Sequence, residues 1–222
     1  MEHKRLTLFA GHYGSGKTNI AVNYALHLAA EGKRVCVADL DIVNPYFRTK
    51  DSEAELRAAG IRLISPQYAN SNVDLPALPA ESYSLVQDTS VYGIMDIGGD
   101  DRGAYALGRY ADAIKAENNY RMALVVNAFR PLTSTVEDTV EIMHEIEAAS
   151  GLRFTSIVNN SNLGPETTAE TVRASLPLVE ELSRVTGLPV WMHTATASVA
   201  KELAELTVLP MTLQKKIFDL PD

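Results

Sequence analysis

The sequence predicts an α/β fold of three layers, in which a mostly parallel, twisted sheet of about seven strands carries helices on both faces. The main observation is that short apolar runs, typical of buried strands, alternate with helical patterns along all 222 residues. A second observation is a glycine-rich stretch that joins the first strand to the first helix. The chain shows no internal repeat, low-complexity tract or linker, so a single domain is expected over residues 1–222.

Seven apolar runs predict the strands. They cover residues 5–10, 33–38, 61–64, 92–95, 122–126, 154–158 and 189–192. Several of these runs are followed directly by Asp or Asn side chains. Ligands of parallel sheets bind beyond the carboxyl ends of the strands, so the residues that follow each strand are the first candidates for a functional site.

Helical patterns fill most of the intervals between the strands. Helices are predicted at residues 18–30, 53–59, 104–115, 133–149, 166–185, 198–205 and 211–218. The helix at 133–149 has apolar residues at helical spacing and ends before Gly151. Pro177 predicts an interruption or a kink in the helix at 166–185.

Two segments have no regular pattern. Pro45 blocks a helix in residues 42–48, directly after the second strand. Residues 65–79 contain three prolines and several Asn and Ser residues, which predicts a long surface loop.

The glycine-rich stretch at residues 11–18 matches the phosphate-loop pattern G-x-x-x-x-G-K-[ST] without a gap. Glycines allow backbone N–H groups to curl around phosphates, and the helix that starts there adds its free N–H groups and its positive dipole end. Lys17 is expected to reach the β- and γ-phosphates, and the Thr18 hydroxyl is expected to bind Mg²⁺. The alternative is a glycine turn with a solvated lysine. The predicted nucleotide-binding residues are Gly11, His12, Tyr13, Gly14, Ser15, Gly16, Lys17, Thr18 and Asn19.

Carboxylates follow two of the predicted strands. Asp96 comes after an apolar strand, at the Walker B position where an acid holds Mg²⁺. Gly99 completes an Asp-x-x-Gly sequence, whose glycine amide can bind a γ-phosphate and make the next loop sensitive to the nucleotide. Asp39 and Asp41 end the second strand on one side of the chain, and Asp41 is expected to orient the attacking water or hold the Mg²⁺ shell. A helix cap or a solvated turn is the alternative for this pair.

Composition narrows the classes of partner. The formal net charge is −8, and no basic patch interrupts it, which argues against binding to nucleic acid. The single cysteine, Cys36, excludes a disulfide within the chain and favours a reducing compartment. No apolar run reaches membrane-spanning length, so a cytoplasmic protein that does not bind membranes is expected.

Together, the loop at 11–18, the Asp-x-Asp at 39–41 and the strand and acid at 92–99 resemble the MinD/ParA/ArsA group of P-loop ATPases. This group includes the CobQ/CobB-like nucleotide-binding domains. The resemblance implies a three-layer P-loop NTPase fold, Mg²⁺ and ATP as cofactors, and in many members a homodimer. It also implies site roles: Lys17 and Thr18 bind phosphate and Mg²⁺, Asp41 positions water, Asp96 supports Mg²⁺, and Asn159 or Asn160 contacts adenine.

One position departs from the family pattern. The lysine that normally crosses the dimer interface is replaced here by His12, which is shorter and only partly charged near neutrality. Arg48 and Arg102 lie beside the two acidic segments and are candidates to replace the charge, although solvated surface arginines are the more common alternative.

Three functions are consistent with the sequence. The first is an ATP-hydrolysing switch that acts on an unidentified protein partner. The second is an ATP-dependent small-molecule enzyme resembling dethiobiotin synthetase or the CobB-like amidases, with a substrate held by residues 67–82. The third is a nucleotide-binding module with negligible turnover. ATP is expected in preference to GTP, because residues 159–162 lack the Lys and the final Asp of an Asn-Lys-x-Asp guanine motif.

Overall fold

The computed structural model describes residues 2–41, 49–65, 80–99 and 101–213, and its centre is an eight-stranded sheet. The strands are β1 (Leu6–Ala10), β2 (Val35–Leu40), β3 (Arg62–Ile64), β4 (Tyr92–Ile97), β5 (Tyr120–Val126), β6 (Ser156–Asn159), β7 (Val190–Thr196) and β8 (Val208–Met211). The strand order is β3-β2-β4-β1-β5-β6-β7-β8, and every neighbouring pair is parallel. The predicted three-layer α/β fold is therefore confirmed, with eight strands where about seven were expected.

Helices cover both faces of the sheet. They are α1 (Lys17–Ala30), α2 (Glu53–Ala58), α3 (Ser84–Gln87), α4 (Asp101–Gly108), α5 (Ala111–Glu117), α6 (Val136–Ser150), α7 (Ala169–Thr186) and α8 (Ala197–Ala200). Alternate residues of a strand point to opposite faces, so β1 contributes to both cores. Leu6 and Leu8 pack in the core shared with α4 to α7, whereas Phe9 packs in the core shared with α1 and α2. Because β1 lies inside the sheet and is covered on both faces, the loop that follows it starts from a fixed position.

The eighth strand, β8, was missed because Pro210 lies within it. Proline lacks the N–H that a central strand needs, and it is tolerated at a sheet edge, which is where β8 lies. The helix predicted at 211–218 is wrong at Met211, which belongs to β8, and residues 214–218 lie outside the described residues. The chain after β8 is fixed to α1, since the Asn23 amide accepts from Thr212 N (2.8 Å) and donates to Thr212 O (3.0 Å).

The long helices start and end at the residue types that physical chemistry favours. Thr135 caps α6 by accepting from Asp138 N (3.1 Å), and α6 ends at Gly151, whose φ of 68° is left-handed. In α7 the helix is continuous through Pro177, so the predicted interruption is wrong.

Two other helix predictions also need correction. The predicted helix at 104–115 is two helices, α4 and α5, and the one at 198–205 is helical only as far as Ala200.

A buried arginine anchors the start of β1. The Arg5 side chain is 6% exposed, and its Nε and Nη2 donate to the Glu117 carboxylate. Its Nη1 donates to the carbonyl oxygens of Leu85 (2.8 Å) and Val91 (3.2 Å). One guanidinium therefore joins β1 to α3, to the turn before β4 and to α5.

Replacing this guanidinium should destabilise the protein strongly. Arg5→Ala leaves the Glu117 carboxylate and two carbonyl groups without their donor, and we expect a loss of about 3–5 kcal/mol in the free energy of unfolding, measured with urea. Arg184→Ala is the matched control, because Arg184 also makes two hydrogen bonds to a glutamate, Glu181, but on an exposed helix face. Equal losses in the two variants would contradict the anchoring role of Arg5.

Candidate functional site

At three positions the loop between β1 and α1 has a backbone conformation or a close contact that favours glycine. Gly14 and Gly16 have φ of 76° and 90°, which side-chain-bearing residues rarely adopt. At Gly11, φ is 144° and an added Cβ would lie 2.6 Å from the carbonyl oxygen of Val125 in β5. Gly16 is the N-cap of α1 and provides no side-chain cap, and the first turn of α1 contains no acidic residue. The N–H groups at the start of a helix have no acceptor within the helix, so such a position favours an anionic ligand.

Lys17 is the first residue of α1, and its side chain contacts the same loop. Its side chain is buried, and its ammonium group donates to the His12 carbonyl (3.0 Å). Gly99, after β4, approaches so closely that an added Cβ would lie 2.6 Å from Tyr13 N and 3.0 Å from Lys17 Nζ. The structure therefore brings the predicted loop, its lysine and Gly99 into direct contact.

The His12 imidazole bonds to its own loop. Its Nδ1 lies 2.9 Å from the Tyr13 carbonyl oxygen. The residue also lines a shallow groove of about 240 Å³ on the side of α6. The other lining residues are Leu132, Asp138, Glu141, Ile142 and Glu145. In this arrangement His12 faces a surface that carries three carboxylates.

Asp96 is a buried carboxylate at the carboxyl end of β4. Asp96 is 1% exposed. Its Oδ2 accepts a hydrogen bond from the Thr49 hydroxyl (3.0 Å), whereas its Oδ1 has no hydrogen-bond partner among the described residues. It pairs in register with Asp39 of β2. Asp39 Oδ1 accepts from Asp41 N (3.0 Å), and both of these aspartates are buried. Three carboxyl groups are thus held at one edge of the sheet.

Burial raises the pKa of Asp96 to about 6, and the negative charge of Asp41 acts in the same direction. The Thr18 hydroxyl, the Lys17 ammonium and the Thr49 hydroxyl act in the opposite direction. A carboxylate oxygen without a partner, close to a threonine hydroxyl, is the hard oxygen donor set that Mg²⁺ prefers. The Ser15 hydroxyl of the loop is also buried without a hydrogen-bond partner among the described residues. These residues fit a phosphate-bound Mg²⁺ ion.

The two asparagines after β6 have different surroundings. Asn160 Nδ2 donates to the Ser15 carbonyl (2.6 Å), and its Oδ1 accepts from the Thr194 hydroxyl (2.5 Å), which ties β6 and β7 to the phosphate loop.

Asn159 is bound on the α7 side of the sheet. Its Nδ2 donates to Ser175 Oγ (2.9 Å) and lies 3.0 Å from His193 Nδ1, and its Oδ1 accepts from Ser161 N (3.1 Å). Both amide groups therefore take part in protein contacts, and Asn160 is the one that lies against the phosphate loop.

Thr49 is a site residue that sequence reasoning missed. It is fully buried and is the hydroxyl donor to Asp96. No motif spacing marks it, because its contact with Asp96 bridges 47 residues of sequence. Arg48, Asp100 and most of residues 67–82 lie outside the described residues, as does the side chain of Arg102.

Residues 6–168 match the family model of the CobQ/CobB/MinD/ParA nucleotide binding domain. The chain belongs to this family. The match covers β1 to β6 and contains each of the motifs on which the resemblance depends. The chain is therefore a P-loop nucleotide-binding domain. No curated protein sequence matches the chain.

Solved structures show the same fold at low sequence identity. FtsY from Thermotoga maritima has a TM-score of 0.60 and 18% identity, over 87% of this chain and 62% of its own. Chloroplast FtsY from Physcomitrella patens has a TM-score of 0.59 and 15% identity, over 87% and 59%. The signal recognition particle 54 kDa protein from Aeropyrum pernix, in complex with GDP, has a TM-score of 0.56 and 18% identity, over 85% and 40%. The chain thus spans about 40–62% of the length of these relatives.

Among the helices that the structure describes, none is both long and apolar enough to cross a membrane.

The raised pKa of Asp96 predicts a pH-dependent stability. The folded pKa of about 6 exceeds the ordinary 3.8, so the folded protein binds this proton more tightly, and stability is lost as pH rises from about 4 to 6. In the absence of nucleotide and Mg²⁺, Asp96→Asn should therefore raise the free energy of unfolding at pH 7.5, by up to about 3 kcal/mol. The gain should vanish towards pH 4.

Urea unfolding across this pH range measures the effect. Asp112→Asn, at an exposed position in α5, is the matched control and should leave the profile unchanged. An Asp96→Asn protein that is less stable than wild type at pH 7.5 would contradict the assignment.

Proposed function

We propose that this chain is a Mg²⁺-dependent ATPase of the MinD/ParA type, which acts as a nucleotide-controlled switch on a protein partner. A single nucleotide-binding domain over residues 1–222 is part of the proposal. The main support for it is that the phosphate loop, Lys17 and Gly99 are in direct contact near the buried carboxylate of Asp96. One oxygen of this carboxylate has no hydrogen-bond partner among the described residues.

The residues have separate roles in this proposal. The N–H groups of the loop and of the first turn of α1 bind the phosphate oxygens, and the Lys17 ammonium moves from the His12 carbonyl to the β- and γ-phosphates. Thr18 and Asp96 would hold Mg²⁺, which neutralises the charge of the phosphates when bound. Asp41 orients the attacking water, because it follows β2 directly and its charge acts on Asp96. Gly99 offers its amide to the γ-phosphate, which links the loop after β4 to the nucleotide state.

The arrangement after β6 supports ATP over GTP. A guanine-reading aspartate would have to accept two N–H groups of the base, but position 162 is asparagine. Its Nδ2 already donates to the Asn160 carbonyl (2.8 Å), and its Oδ1 accepts from Gly164 N (3.1 Å). Asn162 therefore lacks both the charge and the acceptor capacity for guanine. In the proposed complex the adenine lies beside the residues that follow β6, where the family resemblance implies a contact from Asn159 or Asn160.

A surface beside the loop supports the protein partner. Leu132 is an exposed apolar residue that lines the groove together with His12 and the carboxylates of α6, and the exposed Tyr13 follows His12 in the chain. A basic, partly apolar partner surface complements this composition. A homodimer, which the family resemblance implies, is a separate candidate, because the sequence of this chain has no basic patch to complement the acidic groove. Binding to nucleic acid or to a membrane does not form part of the proposal, and the expected location is the cytoplasm.

Steady-state hydrolysis of ATP and GTP tests the proposal, measured with Mg²⁺ over a range of protein concentrations. We expect ATP to be the preferred substrate. Lys17→Ala and Asp41→Ala should each lower the rate by roughly 100-fold or more, because they remove transition-state charge stabilisation and water orientation respectively. A specific activity that rises with protein concentration would identify the homodimer as the active form.

The controls are Lys115→Ala and Asp112→Ala, which remove the same charges from exposed positions of α5 and should hydrolyse ATP like wild type. If wild type binds ATP but hydrolyses it no faster than Lys17→Ala at any concentration, autonomous ATPase activity is excluded. A burst of ADP that depends on a small molecule, without any protein partner, would favour an ATP-dependent small-molecule enzyme.

A further inference from the structure

A second group of metal-binding side chains lies at the other end of α1. His27 and Glu31 are at the carboxyl-terminal end of this helix, and His3 precedes β1. The distance along the helix from Lys17 to His27 is about 15 Å at 1.5 Å per residue. The group therefore lies at the amino edge of the sheet, away from the nucleotide site.

The three side chains have the spacing of ligands around one ion. His3 Nε2 lies 3.0 Å from Glu31 Oε2, and His27 Nε2 lies 3.2 Å from Glu31 Oε1. One ligand atom from each residue lies within 4.8 Å of the other two. Two ligands that bind one zinc-like ion at about 2.0–2.2 Å in tetrahedral geometry are about 3.3–3.6 Å apart, so the side chains would separate by a few tenths of an ångström to admit an ion. His27 and Glu31 are four residues apart and share one helix face.

A buried tyrosine orients His3. His3 Nδ1 lies 2.9 Å from the hydroxyl of Tyr24, which is fully buried between Phe9 and Trp191. When Nδ1–H donates to this oxygen, Nε2 keeps its lone pair and points at Glu31. Metal-bound histidines are held in this way by a second partner on the other ring nitrogen.

The segment that carries His3 is also held by backbone contacts. Arg121 Nη1 donates to the Glu2 carbonyl (2.9 Å), and the Arg121 guanidinium stacks 4.1 Å above the Trp191 ring. Arg5 fixes the chain two residues after His3. The position of His3 is thus set before any ion binds.

An ion pair is the alternative explanation of the same contacts. In that explanation, or in a neutral hydrogen bond from Nε2–H to Glu31, a proton lies between each imidazole and the carboxylate. A transition metal would take the place of these protons, because it binds neutral imidazole.

We propose that His3, His27 and Glu31 bind one transition-metal ion of the Zn²⁺ class, with the remaining coordination position open to water. Two imidazoles and one carboxylate favour such an ion over Mg²⁺, which prefers oxygen ligands. The bound ion would link the amino-terminal segment, through His3, to His27 and Glu31 at the end of α1. This site is independent of the proposed ATPase activity.

Co²⁺ titration of the full chain, purified without a polyhistidine tag, tests the site through the visible absorption of the bound ion. Excess Mg²⁺ is present so that the oxygen ligands of the nucleotide site do not contribute. We expect one equivalent of Co²⁺, displaced by Zn²⁺. His27→Ala and Glu31→Gln should each weaken binding by about 10-fold or more. Both positions are more than a third exposed, so these variants are expected to fold, which far-UV circular dichroism checks.

His144→Ala is the matched control, because His144 also faces a glutamate, Glu147, from an exposed helix position (3.9 Å). It should bind Co²⁺ like wild type, and so should Asp96→Asn. Zn²⁺ should also raise the thermal midpoint of wild type but not that of His27→Ala. The proposal is overturned if wild type gives no ligand-field absorption, if His27→Ala and Glu31→Gln bind as tightly as wild type, or if Asp96→Asn abolishes the signal.

Discussion

Burial of the Asp96 carboxyl group beside the Lys17 ammonium is the interaction on which the carboxyl edge of the sheet depends. Desolvation disfavours the charged carboxylate, and the partial compensation comes from Lys17 and from the hydroxyls of Thr18 and Thr49. One carboxylate oxygen is left without a partner in the described structure. A protein that keeps such a group in its interior gives up stability there, and natural chains do so chiefly at functional sites. A cation that binds this oxygen returns the lost stability by mass action, so stability and ligand binding are linked.

Close backbone approach is the second constraint, and it makes the site respond as one unit. Gly11 packs against β5, Gly16 against Asn160, and Gly99 against Tyr13 and Lys17. A Cβ at any of these positions would overlap its neighbour, so the loop after β1 meets the loop after β4 directly and meets the Asn160 side chain after β6 without a side chain of its own between them. Movement of the loop after β4 would therefore be transmitted directly to the Lys17 ammonium. This contact gives a physical basis for a nucleotide-dependent switch, because close-packed contacts repack between discrete arrangements instead of deforming continuously.

The parts of the fold that depend on local pattern were predictable from the sequence, and the parts that depend on tertiary position were not. The alternation of strands and helices and the spacing of the phosphate loop are local, and both follow from the order of residues. Pro210 hid β8, because only the position at the sheet edge makes a proline acceptable in a strand. Pro177 stays within α7, where Val179 and Leu182 pack in the core and outweigh the lost backbone hydrogen bond. Thr49 and the contacts of Asn159 could not be predicted, since their partners are distant in sequence.

Helix α1 connects the phosphate loop at its first turn with the histidines and the glutamate at its last. Coupling between the two ends would require a structural element that has two alternative arrangements, whose populations both ligands change. The middle of α1 offers none, since Ile20, Tyr24 and Leu28 are buried in the core and Asn23 is bonded on both sides of its amide to Thr212. Ligands bound far apart, without shared partners, contribute to stability almost additively. The stabilisation that Zn²⁺ gives at one end of the helix should therefore be the same whether or not nucleotide is bound at the other.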